Sequence, residues 1–410
     1  MADTLTGPLP QDPDPVPDFP MPRAARCPFD PPPGLKELQE RGPLAKVRLW
    51  DGSRPWLVTR HADQRALLGD HRVSADTDSP GYPSKAAGDG GDTKFGFIML
   101  DDPEHARLRR MVTAPFAIRR VEALRPVVQD IVDGLVDDML AGPGPVDLME
   151  AFALPVPSLV ICELLGVPYD DHAFFQDNTR TMVHRDATPE QRGRATREIA
   201  EYLGGLIGRR LADPRDDLLS GIAGRVRAGE IDHRTATETA LLLLLAGHET
   251  TANMIALGTL ALFHHPDQLA LLRDTEDPAL VVSAVEELLR YLSITHLGRR
   301  RAVTADIEIG GRLIKAGEGV IMANEIANRD PEVFPDPDRL DLTRDARRHV
   351  AFGFGVHQCL GQPLARMELQ VVYATLYRRI PTLRPAVPLD EIRFKEDAFI
   401  YGVHSLPVTW

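Results

Sequence analysis

The strongest chemical signal in the sequence is one cysteine in a glycine-rich loop: Phe352-Gly353-Phe354-Gly355-Val356-His357-Gln358-Cys359-Leu360-Gly361, just ahead of a helical run through Leu364–Arg379. Glycines let a backbone approach its neighbours closely, and N–H groups at a helix start stabilise an anion. A thiolate is therefore favoured at Cys359, and a thiolate can ligate a metal or attack an electrophile. Two other readings of the same residues stay open. Cys359 can be a buried structural cysteine, or half of a Cys–His nucleophile pair with His357, although such partners usually lie far apart in sequence.

Three further groupings carry possible chemistry. Ala246-Gly247-His248-Glu249-Thr250-Thr251 interrupts a long helical stretch with a glycine, read as a kink, and an acid–alcohol pair. An adjacent carboxyl and hydroxyl can pass protons, but a helical Thr also bonds its own i−4 carbonyl, and a helical Gly also serves close packing. Glu287-Leu-Leu-Arg290 places opposite charges at i,i+3 on one helix face, the spacing of an ordinary ion pair. His105 and Arg109, at i,i+4, project from one face of a helix that begins near Pro103.

These residues need a large scaffold, and 410 residues with 43% hydrophobic and 26% charged side chains supply one. Lys plus Arg number 47 against 60 acids, a net charge of −13, which argues against a nucleic-acid partner. Cys27, Cys162 and Cys359 are odd in number and far apart, so neither a disulfide framework nor a structural zinc site is expected. The first 20 residues lack a basic start followed by an apolar run, and the most apolar stretch, Ala240 to Ala246, is only seven residues. A cytoplasmic protein without a membrane segment is the expectation.

Along the chain, residues 1–33 hold eleven prolines and read as an extended surface segment, followed by one catalytic domain over 34–410. Val47–Trp50 and Pro55–Val58 flank Asp51-Gly52 as a hairpin, and residues 74–93 read as a long Gly/Pro/Ser/Asp-rich loop able to act as a lid. From Pro103 to about His265 the periodicity is helical, punctuated at 142–145, 166–168 and 213–214, with another helix through Ala284–Tyr291. A second hairpin turns on Gly310-Gly311, and a Pro/Asp-rich meander follows at 330–341. One mainly α domain with a smaller β-rich lobe fits this pattern.

Phe352, Gly355, His357, Cys359 and Gly361 match, position for position, the signature of the cytochrome P-450 haem-thiolate mono-oxygenases. A chance match to five such positions is on the order of one in ten thousand from average composition. The acid–alcohol segment at 246–251 and the ExxR at 287–290 lie upstream in the family's order, and the resemblance runs from the hairpin at 47–58 to the last strand. The Pro-rich start resembles that of the bacterial members that oxidise macrolides, polyenes, sterol-like molecules and xenobiotics.

The resemblance implies the family's fold, with haem b between the long central helix and the cysteine loop. It implies Cys359 as the axial iron ligand; thiolate ligation of this kind favours O–O cleavage, for which this family is the standard example. His105, Arg109, Arg300 and His357 become the propionate partners, with the register of Arg299-Arg300-Arg301 open by one residue, and Ala246, Phe352 and Gly361 further haem contacts. Thr250 is to hydrogen-bond dioxygen and Glu249 to relay protons inward; Glu287 and Arg290 form a buried pair completed by Arg339 of the meander. The substrate pocket falls to Phe97, Leu242, Leu245, Ala246, Thr295, His296, Phe399 and Ile400, an apolar lining with polar points for a hydrophobic small molecule.

The chain has no flavin domain and no iron–sulfur cysteines, so the resemblance implies electrons from a ferredoxin and its NAD(P)H-dependent reductase. Arg110, Arg347, Arg348 and Arg366 are candidates for docking an acidic carrier. Three alternatives differ from this reading. A peroxide-driven relative tends to lack the acid–alcohol pair; a haem-binding sensor or electron carrier leaves a lid without purpose; a cysteine hydrolase needs no haem.

Overall fold

The computed structural model describes residues 16–24, 27–84, 96–183, 187–396 and 398–410. Most of the proline-rich start (1–15) and much of the expected lid loop (85–95) lie outside the described residues. The described part of the start is packed down. Phe19 is buried, Asp18 bridges to Arg48, and the Arg23 guanidinium meets Glu325 at 2.7 Å while lying 3.8 Å over the Tyr401 ring.

Eight helices carry the argument: α1 (Glu104–Thr113), α2 (Arg125–Ala141), α3 (Pro155–Leu165), α4 (His172–Val183), α5 (Pro189–Ala212), α6 (His233–His264), α7 (Pro278–Leu292) and α8 (Gln362–Arg379). Local chemistry explains their ends. Proline sits in the first turn of α2, α3, α5, α7 and α8, where its missing N–H costs nothing. Asp232 caps α6 through the Thr235 N–H at 2.7 Å, and Asp277 caps α7 through Ala279 N–H at 2.9 Å. Gly166 ends α3 at φ +79, a left-handed cap that only glycine adopts freely.

At 32 residues, α6 is long and apolar enough to span a bilayer, a point that the seven-residue run at 240–246 concealed. In this fold it is the core instead: α3, α5 and α8 pack around it, and most of its residues are buried. It runs unbroken through Gly247, which corrects the expected interruption there: a glycine keeps its helical hydrogen bonds, and this one packs near Ile161 of α3.

The smaller lobe is a five-stranded sheet of β1 (Leu44–Lys46), β2 (Trp56–Val58), β3 (Val73–Ser74), β4 (Arg299–Val303) and β5 (Gly319–Met322), in the order β1-β2-β5-β4-β3. Only the β2/β5 pair is parallel. The expected first hairpin forms, with its ladder displaced toward 44–46 and 56–58, and Gly52 at φ +80 makes its turn. The second hairpin, Ile307–Ile309 with Arg312–Ile314, turns on Gly310 and Gly311, both at positive φ. The chain is thus mainly α with a small β lobe, as its periodicity predicts.

Candidate active site

The cysteine loop is held open by its glycines. Gly353 and Gly355 both have φ near +75, and a Cβ on Gly355 would lie 2.2 Å from the Leu68 carbonyl oxygen. The loop closes with the Cys359 N–H donating to the Phe352 carbonyl at 2.9 Å. Cys359 then stands ahead of α8, where the Gly361 N–H donates to its sulfur and Arg299, Arg109 and Arg366 lie near enough to favour a thiolate. Burial pushes the free thiol the other way, up from its ordinary value. Yet Cys359 keeps accessible surface. Ala246 does too, although α6 around it is largely buried, so a hollow lies inside the fold at these two residues.

A cluster of basic side chains gathers beside the cysteine. The His105 and His357 rings lie 4.0 Å apart, and Arg109 reaches the loop at the Gln358 carbonyl, 2.5 Å away. Burial, together with Arg301, His105 and Arg109, pushes His357 down to about 3. Burial likewise lowers Arg109 and Arg301, and brings Arg299 to about 10. His105 Nδ1 meets Asp102 at 3.0 Å, while its buried Nε2 has no hydrogen-bond partner. Cationic side chains crowded at low dielectric, with an orphan ring nitrogen among them, suit a dianionic group such as a haem with two propionates.

Here the strand register corrects the expectation for Arg300. Alternation along β4 sends Arg300 to the opposite face, where it is buried and donates to the Pro83 carbonyl at 3.4 Å and to Ser84. Arg299 and Arg301 share the face toward His357 and Cys359. Arg299 also bonds the Ala351 carbonyl at 2.8 Å, bracing the loop.

On α6, Thr250 donates to the Ala246 carbonyl at 2.8 Å, the i−4 bond that a helical Thr makes, which leaves its oxygen lone pairs as acceptors. Glu249 is one residue away and lies 3.7 Å from the buried Lys395. Leu242 is buried against Gly96, Leu245 is half-buried, and buried Phe97 packs its ring 6.2 Å from His105. Ile400 is buried, Phe399 is exposed, and the Thr295 hydroxyl accepts from Asn324 at 2.7 Å. His296 does something other than line a pocket as a free polar point. Its Nε2 lies 2.6 Å from the Ala398 carbonyl, so the buried ring ties down the C-terminal turn; burial takes its pKa to about 4.

The ExxR pair is fully buried and bidentate, with Arg290 Nε and Nη2 at 2.7 and 2.8 Å from the Glu287 carboxylate. The residue that completes it is Arg344, just past the meander, whose Nε is 3.2 Å from Glu287, and not Arg339. Arg339 is exposed and contributes its backbone carbonyl, which accepts from Arg290 and Arg344 at 3.2 Å each. Arg344 and Lys395 are the site residues that sequence reasoning missed, whereas Arg299 and Arg301 lie within the one-residue latitude left around Arg300. Strand alternation alone could have paired Arg299 with Arg301 on one face; nothing local marks the other two.

The family profile described as Cytochrome P450 matches residues 194–381. Cytochrome P450 GfsF of Streptomyces halstedii is 57% identical over 403 residues, 96% of each chain, and the GfsF crystal structure superposes with a TM-score of 0.93 over 96% of this chain and all of that one. A vitamin D3 dihydroxylase of Streptomyces griseolus is 47% identical over the full length of both chains, and the 20-oxo-5-O-mycaminosyltylactone 23-monooxygenase of Streptomyces fradiae 44% over 95% of this chain and 92% of its own. Such likeness across nearly the whole chain, on a fold with a thiolate-ready cysteine facing a cationic hollow, means that this chain belongs to the cytochrome P450 family of haem mono-oxygenases.

Proposed function

We propose that this enzyme hydroxylates a hydrophobic secondary metabolite or xenobiotic of macrolide, polyene or sterol-like size, in the cytoplasm, with electrons from a ferredoxin and its NAD(P)H-dependent reductase. The observation that carries the reading is Cys359: accessible from an inner hollow and ringed by an amide N–H and three arginines, in a fold whose central helix bears an acid–alcohol pair. Thiolate-ligated haem supplies activation of dioxygen, one atom going to the substrate and the other to water with two protons and two electrons.

In this reading Cys359 holds the iron, Phe352 and Gly361 shape its loop, and His105, Arg109, Arg301 and His357 hold the propionates. Thr250, once its O–H swings from the Ala246 carbonyl, donates to dioxygen and orients it, and Glu249 hands on protons in a site otherwise kept dry. Phe97, Leu242, Leu245, Ala246, Thr295 and Ile400 exclude water and orient the substrate, with residues 34–410 as the catalytic domain. Of the surface arginines, Arg366 is committed to Glu286 at 2.6 Å and Arg347 to Asp345 at 2.8 Å, which leaves exposed Arg110 and Arg348 to meet an acidic carrier. The relatives named for vitamin D3 and for 20-oxo-5-O-mycaminosyltylactone support a large hydrophobic substrate.

The test is the absorption spectrum of the reduced protein with carbon monoxide. A strongly red-shifted Soret band that disappears in Cys359→Ser assigns the ligand; an imidazole-like band in the parent protein rejects it.

A further inference from the structure

Lys395 is a buried lysine with no task in the roles above. It lies just before the C-terminal turn, is 4% exposed, and has its backbone N–H fixed on the Gly402 carbonyl at 2.9 Å. Its Nζ is 3.7 Å from Glu249 Oε1. Burial pulls its ammonium down from the ordinary value, against the attraction first of Glu249 and then of Glu150.

Glu150 sits in a π-helical turn, Met149–Ala153, packed on α6. Its carboxylate pairs at 3.1 Å with Arg180 of α4, both side chains nearly half exposed. A cavity with about 10 Å³ of room for a water's centre is lined by Glu150, Ser158, Thr179, Arg180 and His248. Ser158 Oγ is buried with no protein partner. Leu154 and Pro155 complete the lining, and a space of this size holds one water beside Ser158. His248 also feels Lys395 and, pushed by burial to about 4, is neutral there. The charged and titratable groups facing Lys395 are thus Glu249 and His248 from α6 and Glu150 from the π-turn, with Arg180 behind Glu150.

Resting on the relay role given to Glu249 and Thr250, we propose that Lys395 is the positioning residue that holds Glu249 toward the Arg180–Glu150 surface pair, and that protons enter the site along this polar seam between α3, α4 and α6. A proton taken from solvent on the Glu150 side reaches the Glu249 carboxylate, which turns and gives it up on the Thr250 side. Lys395 keeps its own proton throughout and sets which way Glu249 rests. A residue that merely filled space could do neither.

The chain has six lysines, so ε-¹⁵N-lysine labelling of the haem-loaded, ferrous, CO-bound and hence diamagnetic protein resolves Lys395, assigned by its absence in Lys395→Arg. In Glu249→Gln its titration moves to lower pH, because the partner anion is gone; an unmoved titration overturns the pairing. Hydrogen peroxide released per NADPH oxidised is then followed against pH, with a plant-type ferredoxin, its reductase and 7-ethoxycoumarin as reporter. Lys395→Met raises peroxide release several-fold and flattens its pH dependence, and Lys395→Arg restores most of the parent profile. If Glu249→Gln raises peroxide release while Lys395→Met behaves as the parent, the positioning role fails alone. If Glu249→Gln changes nothing, the relay reading itself fails. Should Lys395→Met not fold, the Glu249→Gln titration and the Lys395→Arg profile still decide.

Discussion

At the scale of single residues, three consecutive arginines are separated by one geometric fact. Side chains alternate across a strand, so Arg300 of β4 faces the Pro83–Ser84 carbonyls while Arg301 faces His357. The two arginines therefore have different duties and different failures. Arg301→Gln lowers haem retention, read as faster transfer of haem to apomyoglobin, by roughly tenfold, the worth of one charge-assisted contact of ~1.5 kcal/mol. Its effect on thermal unfolding is small. Arg300→Gln does the reverse, lowering the melting temperature and leaving haem transfer near that of the parent. Equal haem loss in both variants would contradict the register described here.

At the scale of elements, the ExxR pair shows how a helix and a meander are locked together. Glu287 and Arg290 are wholly buried on α7, and a buried ion pair holds only if its remaining donors and acceptors are met. They are met by the meander and the residues flanking it: Arg344, the Asp341 N–H at 3.0 Å, and the carbonyls of Asn328, Pro337 and Arg339. Arg344→Gln removes a partner of a buried carboxylate and costs roughly 1–3 kcal/mol in urea unfolding. Arg339→Gln keeps the carbonyl that matters and stays within about 0.5 kcal/mol of the parent.

At the scale of the whole molecule, one buried acid joins three distant segments. Glu286 of α7 lies 2.6 Å from Arg366 of α8 and 3.2 Å from the ring of His349 in the loop before Cys359. Burial alone would raise its carboxyl, but the histidine and arginine prevail and bring it to about 2, below the ordinary 4.5. A carboxyl lowered by folding adds stability that is complete above its unfolded value and fades as pH falls toward the folded one. The contribution, about 3 kcal/mol, is present above roughly pH 4.5 and drains away toward about pH 2. Urea unfolding followed from neutral pH down to about 3 should show a steeper acid loss in the parent than in Glu286→Gln, which is less stable at neutral pH. Parallel curves would remove Glu286 from the acid response.

The sequence alone determined whatever local chemistry decides. Helix ends follow from Asp232, Asp277, Gly166 and first-turn prolines, and hairpin turns from Gly52 and Gly310-Gly311, because caps and positive φ act within a few residues. The cysteine loop was legible for the same reason: its glycines and sulfur lie within ten residues of chain. Tertiary structure decided the partners. A run of arginines does not say which strand face meets the hollow, ExxR does not say that Arg344 completes it, and Glu249 does not announce a lysine 146 positions away in Lys395. Nor does an apolar 32-residue helix say whether lipid or protein will cover it. Periodicity assigns a side chain to a face, whereas the residue on the other side of that face comes from elsewhere in the chain and is set only when the elements pack.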